Sequence, residues 1–155
     1  MSARGAWTRA AVVAVAVVAL DQWTKHLVDR SIAIGDTRHV LPGLKLVHSS
    51  NEGVAFGILP HAPGAVIAFI AVALAALLYY FSRRLSTPLV WLPTGLLIGG
   101  ALGNIIDRAR HGSVTDFIKL PYWPAFNLAD TAITLGVLSL LLIIEHARTA
   151  EREPA

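Results

Sequence analysis

The sequence predicts an all-α membrane protein of four transmembrane helices with a small extracytoplasmic, β-rich loop region. The chain has 155 residues, of which 55% are hydrophobic and only 15% are charged, and a soluble domain of this size lacks the interior to bury so much apolar surface. Four apolar stretches are long enough to cross a bilayer, and the longer connections between them contain strand-like runs. We therefore predict one integral membrane domain, residues 1–155.

Charge, cysteine and histidine content exclude several classes of function. The formal net charge is +3 and no long basic run occurs, so nucleic acid is not an expected partner. The chain has no cysteine, which excludes disulfides, thiolate metal sites, cysteine nucleophiles and lipidation of the protein itself on a cysteine. The six histidines are scattered, without a metal-ligand spacing that also includes carboxylates, so we expect neither a metal nor another cofactor.

The first apolar stretch, about 7–28, has features of both a signal peptide and a membrane span. Arg4 and Arg9 precede its apolar run, as in a signal peptide. The run ends in a polar segment that begins at Asp21, and no small-residue cleavage site follows, so we interpret it as an uncleaved first span. The remaining spans are predicted at 64–81, 89–106 and about 125–144.

Four spans place the two long loops, 29–63 and 107–124, on the same side of the membrane. The termini and the short loop 82–88 hold basic residues at about twice the density of the long loops. We therefore expect both termini in the cytoplasm and both long loops outside. Runs at 44–48, 54–58 and 114–118 have the composition and alternation of strands and predict a small outer sheet.

Charged and amide side chains lie within or beside the predicted spans, where they are costly and are functional candidates by default. Asp21 and Lys25 are four residues apart, on one face of the first helix. The predicted topology places the whole set toward the outer side of the membrane, so we expect the spans to bring it together. The other members are Asn104, Asp107 and Arg108 at the outer end of the third span, Asn127 and Asp130 early in the fourth, and Asp116 in the preceding loop.

Several of these residues also have a purely structural interpretation. Asp21 and Lys25 could form only a local ion pair, and Asp107 could pair at the interface with Arg108. Asn127 could satisfy backbone groups near a helix start. The sequence pattern alone leaves these alternatives open.

Asp130 is harder to explain structurally. We predict it about a turn and a half inside an apolar helix, with no basic residue within four positions. An unpaired carboxylate there is unfavourable unless it is protonated or shared, so Asp130 is a functional candidate by position alone. Asp116, on a loop, is a weaker candidate by the same criterion.

Small residues line one face of the third span. Gly95, Gly99 and Gly103 recur at four-residue spacing, and glycines at this spacing let helices approach closely. We expect this packing to bring Asn104 and Asp107 next to a neighbouring helix, although generic helix packing would produce the same pattern.

The polar positions fall into five sequence blocks, which are Asp21-Gln22-x-x-Lys25, Asn51-x-Gly53-x-Ala55-Phe56, Gly99-Gly100-x-x-Gly103-Asn104-x-x-Asp107-Arg108, Val114-x-Asp116-Phe117 and Phe126-Asn127-x-Ala129-Asp130. Together these blocks resemble the lipoprotein signal peptidases, also called type II signal peptidases. The blocks occur in the family's order, and the resemblance covers almost the whole chain except the tails. The sequence departs from the family pattern at Val54, where the family more often has a small residue, and at Ser49-Ser50. These departures affect the expected packing of the loop and leave the resemblance itself unchanged.

The resemblance implies an aspartic endopeptidase of the bacterial cytoplasmic (inner) membrane. Its substrates would be prolipoproteins whose junction cysteine already carries diacylglycerol, and it would cut just before that cysteine. The family's catalytic pair falls on Asp116 and Asp130, one ionised to take a proton from water and the other protonated to donate to the carbonyl oxygen. We also expect contact with membrane lipids and a monomeric protein. The positions implied to support the site or the fold are Asn51, Gly53, Asn104, Arg108, Asn127, Asp21 and Lys25.

Two other classes of protein fit a four-span chain with membrane carboxylates. A small proton-coupled transporter would normally place a charge near mid-span and keep its loops short. A non-catalytic assembly subunit would use the glycine face for partners. The long loops on one side, and the position of the carboxylates near that side, favour the peptidase.

Overall fold

Four long helices and a three-stranded sheet make up the described part of the chain. The computed structural model describes residues 2–52, 63–84, 87 and 89–152, so Gly53 and the predicted strand at 54–58 lie outside the described residues. In chain order the elements are α1 (Ala3–Ser31), β1 (Thr37–Leu41), β2 (Leu44–Asn51), α2 (Pro63–Arg83), α3 (Trp91–His111), β3 (Val114–Lys119) and α4 (Leu128–Arg152).

Each predicted span corresponds to one of these helices, but some ends differ. Helix α3 continues to His111, so Asp107 lies inside the helix and not in the predicted loop 107–124. Helix α4 begins three residues later than predicted because Phe126 is still extended and bridges to Ile118. Asp130 therefore lies in the first turn of α4, and the predicted position a turn and a half inside the helix was wrong.

The surface has the distribution expected when lipid is the solvent. By length and composition, two helices in the described ranges could cross a membrane, Ala3–Ser31 and Leu128–His146, and Ala68–Arg83 is a shorter apolar helix. Val15 is 68% exposed and Leu142 is 71% exposed, whereas Asp21 is fully buried. A water-soluble protein of this size rarely exposes so many aliphatic side chains while it buries a charge.

Glycines allow α3 to pack closely against both α1 and α4. A Cβ atom added at Gly99 would lie 2.8 Å from the carbonyl oxygen of Ala14 on α1, and one added at Gly100 would lie 2.5 Å from the carbonyl oxygen of Ala129 on α4. The close approach predicted from the glycine spacing is therefore present, and it involves two neighbouring helices. Gly103, on the same face of α3 as Gly99, meets the Asp21 carboxylate of α1, which a Cβ atom would approach to 2.7 Å.

The sheet covers one end of the helices, in the strand order β1-β2-β3 with both pairs antiparallel. Gly112, with φ of 77°, adopts the left-handed conformation that ends α3 and turns the chain into β3. Phe117 of β3 packs with Val28 and Ile32 from the end of α1, which fixes the sheet to the helices. The strands predicted at 44–48 and 114–118 are confirmed, whereas β1 was not predicted.

Replacement of Gly99 by alanine tests the close packing of α1 and α3. The new methyl group would overlap Ala14 and force the helices apart, so we expect Gly99→Ala to lower the free energy of unfolding by about 1–3 kcal/mol. Thermal unfolding in detergent measures the effect. Gly64→Ala is the matched control, because nothing lies within 4 Å of its Cβ position. Equal melting temperatures for the two variants would contradict the packing described.

Candidate active site

Asp116 is held on the sheet by two amide side chains. The β2–β3 register pairs Ser49 with Asp116 and Asn51 with Val114, so Asn51 and Asp116 are diagonal neighbours on one face of the sheet. The Asn51 Nδ2 donates to Asp116 Oδ2 at 3.0 Å, and the Asn127 Nδ2 donates to Asp116 Oδ1 at 2.8 Å. Each carboxyl oxygen therefore has one amide donor.

Burial changes the protonation of Asp116, whose side chain is almost inaccessible. Removal from water raises the pKa of the Asp116 carboxyl to about 6. The hydrogen bond from Asn51 opposes this rise in pKa, and the nearby charge of Asp130 adds to it. Asp116 therefore keeps its proton to a higher pH than an exposed aspartate.

Asn127 and Asp130 form the start of α4 through reciprocal hydrogen bonds. The Asn127 Oδ1 accepts from the backbone N–H of Asp130 at 2.8 Å, and Asp130 Oδ2 accepts from the backbone N–H of Asn127 at 3.3 Å. This is the arrangement of a capping box, with Asn and Asp in the two capping positions. Since Asn127 also donates to Asp116, one buried residue contacts both aspartates of the predicted catalytic pair.

Asn104 of α3 is the third amide of this network and connects Asn127 to the Asp130 carboxylate. Its Nδ2 donates to Asp130 Oδ1 at 2.8 Å. Its Oδ1 accepts from Asn127 Nδ2 and from Lys25 Nζ, each at 3.1 Å. Two donors on the oxygen fix the orientation of the amide, so its NH₂ group faces the Asp130 carboxylate.

Lys25 is the buried cation beneath this network. Its Nζ lies 2.8 Å from Asp21 Oδ2 and 2.7 Å from Asp107 Oδ2. The other oxygen of Asp21 accepts from the backbone N–H of Ala129 at 2.9 Å, near the positive end of the α4 dipole. One ammonium group therefore joins α1 and α3, and Asp21 carries the connection to α4.

The structure brings the described members of the predicted site into one polar cluster, while Gly53 lies outside the described residues. Arg108 is buried within it, donates from Nη1 to the Asn104 carbonyl oxygen at 3.3 Å and lies within electrostatic reach of Asp130. Asp21 and Lys25 do form the local ion pair considered above, but Lys25 also binds Asp107.

Sequence reasoning gave no role to two further residues at this end of the molecule. The Gln22 Nε2 donates to Asp107 Oδ1 at 2.7 Å, and its position in the polar half of the first span was a usable signal. His48 lies 2.7 Å through Nδ1 from the Ile32 carbonyl oxygen and 3.1 Å through Nε2 from Asp29 Oδ1, which ties β2 to the end of α1. The sequence held no comparable signal for His48, because a polar residue in a strand does not by itself indicate a tertiary contact.

The exposed aliphatic side chains on the helices indicate an integral membrane protein. Its polar site holds two aspartates that are both in contact with one buried asparagine. The sequence model described as signal peptidase (SPase) II matches residues 13–146. The chain belongs to the signal peptidase II family and is a membrane protease, as the five sequence blocks predicted.

Individual relatives agree with this assignment over most of their length. The lipoprotein signal peptidase of Solibacter usitatus (strain Ellin6076) is 43% identical over 148 residues, which cover 88% of each chain. That of Halothermothrix orenii (strain H 168 / OCM 544 / DSM 9562) is 38% identical over 134 residues, covering 86% of this chain and 92% of the relative. A bacterial membrane enzyme solved by the in meso method at 2.3 Å resolution superposes with a TM-score of 0.86 at 34% identity, covering 94% of this chain and 92% of the other.

Loss of the Lys25 ammonium should destabilise the protein strongly. Lys25→Met leaves the carboxylates of Asp21 and Asp107 buried without their cation, and we expect the free energy of unfolding to fall by about 3–5 kcal/mol. Thermal or denaturant unfolding in detergent measures this loss. Lys45→Met, which removes an exposed ammonium from β2, is the control, and similar stability of the two variants would show that the ion cluster contributes little.

Proposed function

We propose that the protein removes signal peptides from diacylglyceryl-modified prolipoproteins by cutting before the lipidated cysteine, with Asp116 and Asp130 as its general acid/base pair. The observation that carries this proposal is that Asn127 donates to both carboxyl groups, from its side-chain amide to Asp116 and from its backbone N–H to Asp130. Membership of the signal peptidase II family, and relatives that bear the name lipoprotein signal peptidase, support the reaction and the substrate class.

Burial disfavours the charge on both aspartates, but the groups that surround the two carboxyls differ. Asp130 lies in the first turn of α4, where the helix dipole favours negative charge, and it accepts hydrogen bonds from Asn104 and from the backbone of Asn127. Asp116 has a raised pKa because of burial and the charge of Asp130. We therefore assign Asp130 as the ionised member and Asp116 as the protonated member of the pair before cleavage.

These states permit hydrolysis with the side chains of the pair. Asp130 takes a proton from water as the water oxygen attacks the scissile carbonyl carbon, and Asp116 donates its proton to the carbonyl oxygen. In the resulting gem-diol, Asp130 gives its proton to the leaving amide nitrogen as the C–N bond breaks. Asp116 recovers a proton from a diol hydroxyl group as the new carboxyl group forms, so the pair returns to its starting state.

We also propose a four-span topology in which α1–α4 all cross the membrane, with both termini cytoplasmic and the site toward the outer face. The charge asymmetry of the loops and the gathering of the polar residues at one end of the helices support this arrangement. A scissile bond at the outer end of a signal helix would then reach the aspartates while the lipid of the substrate stays in the bilayer. The protein is expected to act as a monomer in contact with membrane lipids.

Cleavage of a diacylglyceryl-modified prolipoprotein by the purified protein, without added metal, tests the function and the catalytic pair together. Asp116→Asn and Asp130→Asn should each lower the cleavage rate at least about a hundredfold, because an amide can neither take nor donate the required proton. The change in product is measured by gel mobility or mass. Asp36→Asn, at an exposed position before β1, is the matched control and should retain activity.

Each of the other results of this cleavage assay would contradict a different part of the proposal. Cleavage by all variants would show that other carboxylates act. Absence of cleavage by folded wild-type protein would favour the proton-coupled transporter, which proton uptake into vesicles would then reveal. If the wild-type protein does not cleave the substrate, and the Asp116→Asn and Asp130→Asn variants fold and behave as wild type does, a non-catalytic assembly subunit would be favoured.

The pH dependence of kcat/KM tests the role of Asp116. As the pH rises through about 6, Asp116 loses the proton that it must donate, so kcat/KM should fall. Asn51→Ala removes a hydrogen bond that lowers the pKa of Asp116, so the falling limb should move to higher pH. Ser50→Ala, one residue earlier on β2, is the control and should leave the limb in place. A limb that moves to lower pH in Asn51→Ala would contradict this assignment.

A further inference from the structure

A polar cavity lies beside the candidate active site, between α1 and the C-terminal end of α3. Its volume is about 480 Å³, which is in the range of small-ligand pockets. Thr115 lines it, whereas the next residue on β3, Asp116, points to the other face of the strand. Lys25 and Asp107 also line the cavity, and both are buried. We name this space the α1–α3 cavity.

Three basic side chains on the rim of the α1–α3 cavity form no ion pair with a carboxylate in the part of the chain that the structure describes. Arg110, His26 and His111 line it and are exposed. Within the described ranges, the polar contact of the Arg110 guanidinium is a long hydrogen bond of 3.4 Å to Gln22 Oε1, a neutral acceptor. The imidazoles of His26 and His111 make no hydrogen bond or ion pair with the described residues.

The carboxylates that line the cavity already have partners. Asp107 is held by Lys25 at 2.7 Å and by Gln22 Nε2 at 2.7 Å. Asp29 Oδ1 lies 3.1 Å from His48 Nε2 and accepts from the Thr115 hydroxyl at 3.5 Å. Among the described lining residues, Arg110 is therefore the cation left to bind a ligand, with the rings of His26 and His111 beside it, and an arginine without a carboxylate partner selects an anion.

The cavity lies where the apolar part of α1 ends. The polar half of α1 begins at Asp21, and Trp23 follows on the cavity wall with 60% of its surface exposed. Tryptophan in this position beside an apolar helix is typical of the membrane–water interface. An exposed arginine at this depth lies at the level of phospholipid headgroups, and its guanidinium can bind a phosphate through two parallel hydrogen bonds.

We propose that the α1–α3 cavity binds a phosphate-bearing anion, with Arg110 as its main ligand and the two histidines beside it. A phospholipid headgroup and free phosphate share this chemistry. Arg110 would form charge-assisted hydrogen bonds to phosphate oxygens, while Trp23 would lie against the glycerol and upper acyl region. Occupancy would hold the lipid on the opposite side of β3 from Asp116, outside the space needed for the scissile bond.

Ligand-dependent thermal stabilisation of the purified full chain in detergent tests this site without any substrate, so its outcome is independent of cleavage. The probes are a short-chain phosphatidylglycerol, an uncharged diacylglycerol of the same chain length, and inorganic phosphate. We expect phosphatidylglycerol to raise the unfolding temperature of wild type in a saturable manner. Arg110→Gln should weaken its apparent affinity about tenfold, whereas Arg4→Gln, the same change at an exposed site on the N-terminal turn of α1, should not.

The other results separate the two sources of phosphate or overturn the proposal. Saturable, Arg110-dependent stabilisation by inorganic phosphate that matches phosphatidylglycerol would support the site and assign it to free phosphate. Equal stabilisation by diacylglycerol, or unchanged phosphatidylglycerol affinity in Arg110→Gln, would overturn it. Arg110 and His111 would then serve only the negative C-terminal end of the α3 dipole.

Discussion

The arrangement of this membrane protein depends on the ion pairs of one buried ammonium group, that of Lys25. Lys25 neutralises Asp21 on its own helix and Asp107 on α3, and it also donates to the amide oxygen of Asn104. In a low-dielectric interior, two carboxylates could not remain ionised side by side without such a cation. Because Asp21 also accepts from the backbone of Ala129, removal of the charge would disturb the meeting point of three helices. The glycines of α3 are complementary to this cluster, since they bring the helices close enough for its short contacts.

The polar network continues from this ion cluster to the paired aspartates through amide groups. An amide has a donor and an acceptor at opposite ends, so an occupied oxygen determines where the NH₂ group points. Lys25 and Asn127 occupy the oxygen of Asn104, and its NH₂ group consequently faces Asp130. Asn127 in turn contacts Asp116, which leaves both carboxyl groups oriented before any substrate binds. The proposed general acid/base chemistry would require pre-orientation of this kind.

Strand β3 separates two polar regions with different chemistry. Asp116 faces the amides of Asn51 and Asn127, whereas Thr115 lines the α1–α3 cavity. Successive side chains of a strand point to opposite faces, so two adjacent residues can serve two sites. Lys25 lies between the regions, since it lines the cavity and also contacts Asn104. The α1–α3 cavity and the Asp116 carboxyl group are therefore close in space but lie on opposite faces of β3.

The sequence by itself determined the membrane class, the four helices, two of the strands and the identity of the polar residues, because each depends on local composition, periodicity or a short block such as Asn127-x-Ala129-Asp130. It misplaced the start of α4, since the bridge from Phe126 to Ile118 is a contact between separate segments that no local pattern encodes. It left the partner of Asp107 open for the same reason, and it gave no role to Gln22 or His48. Only the tertiary structure decided that Lys25 serves two carboxylates and that Asn127 contacts both aspartates, because those contacts exist only when α1, α3, α4 and the sheet are packed together.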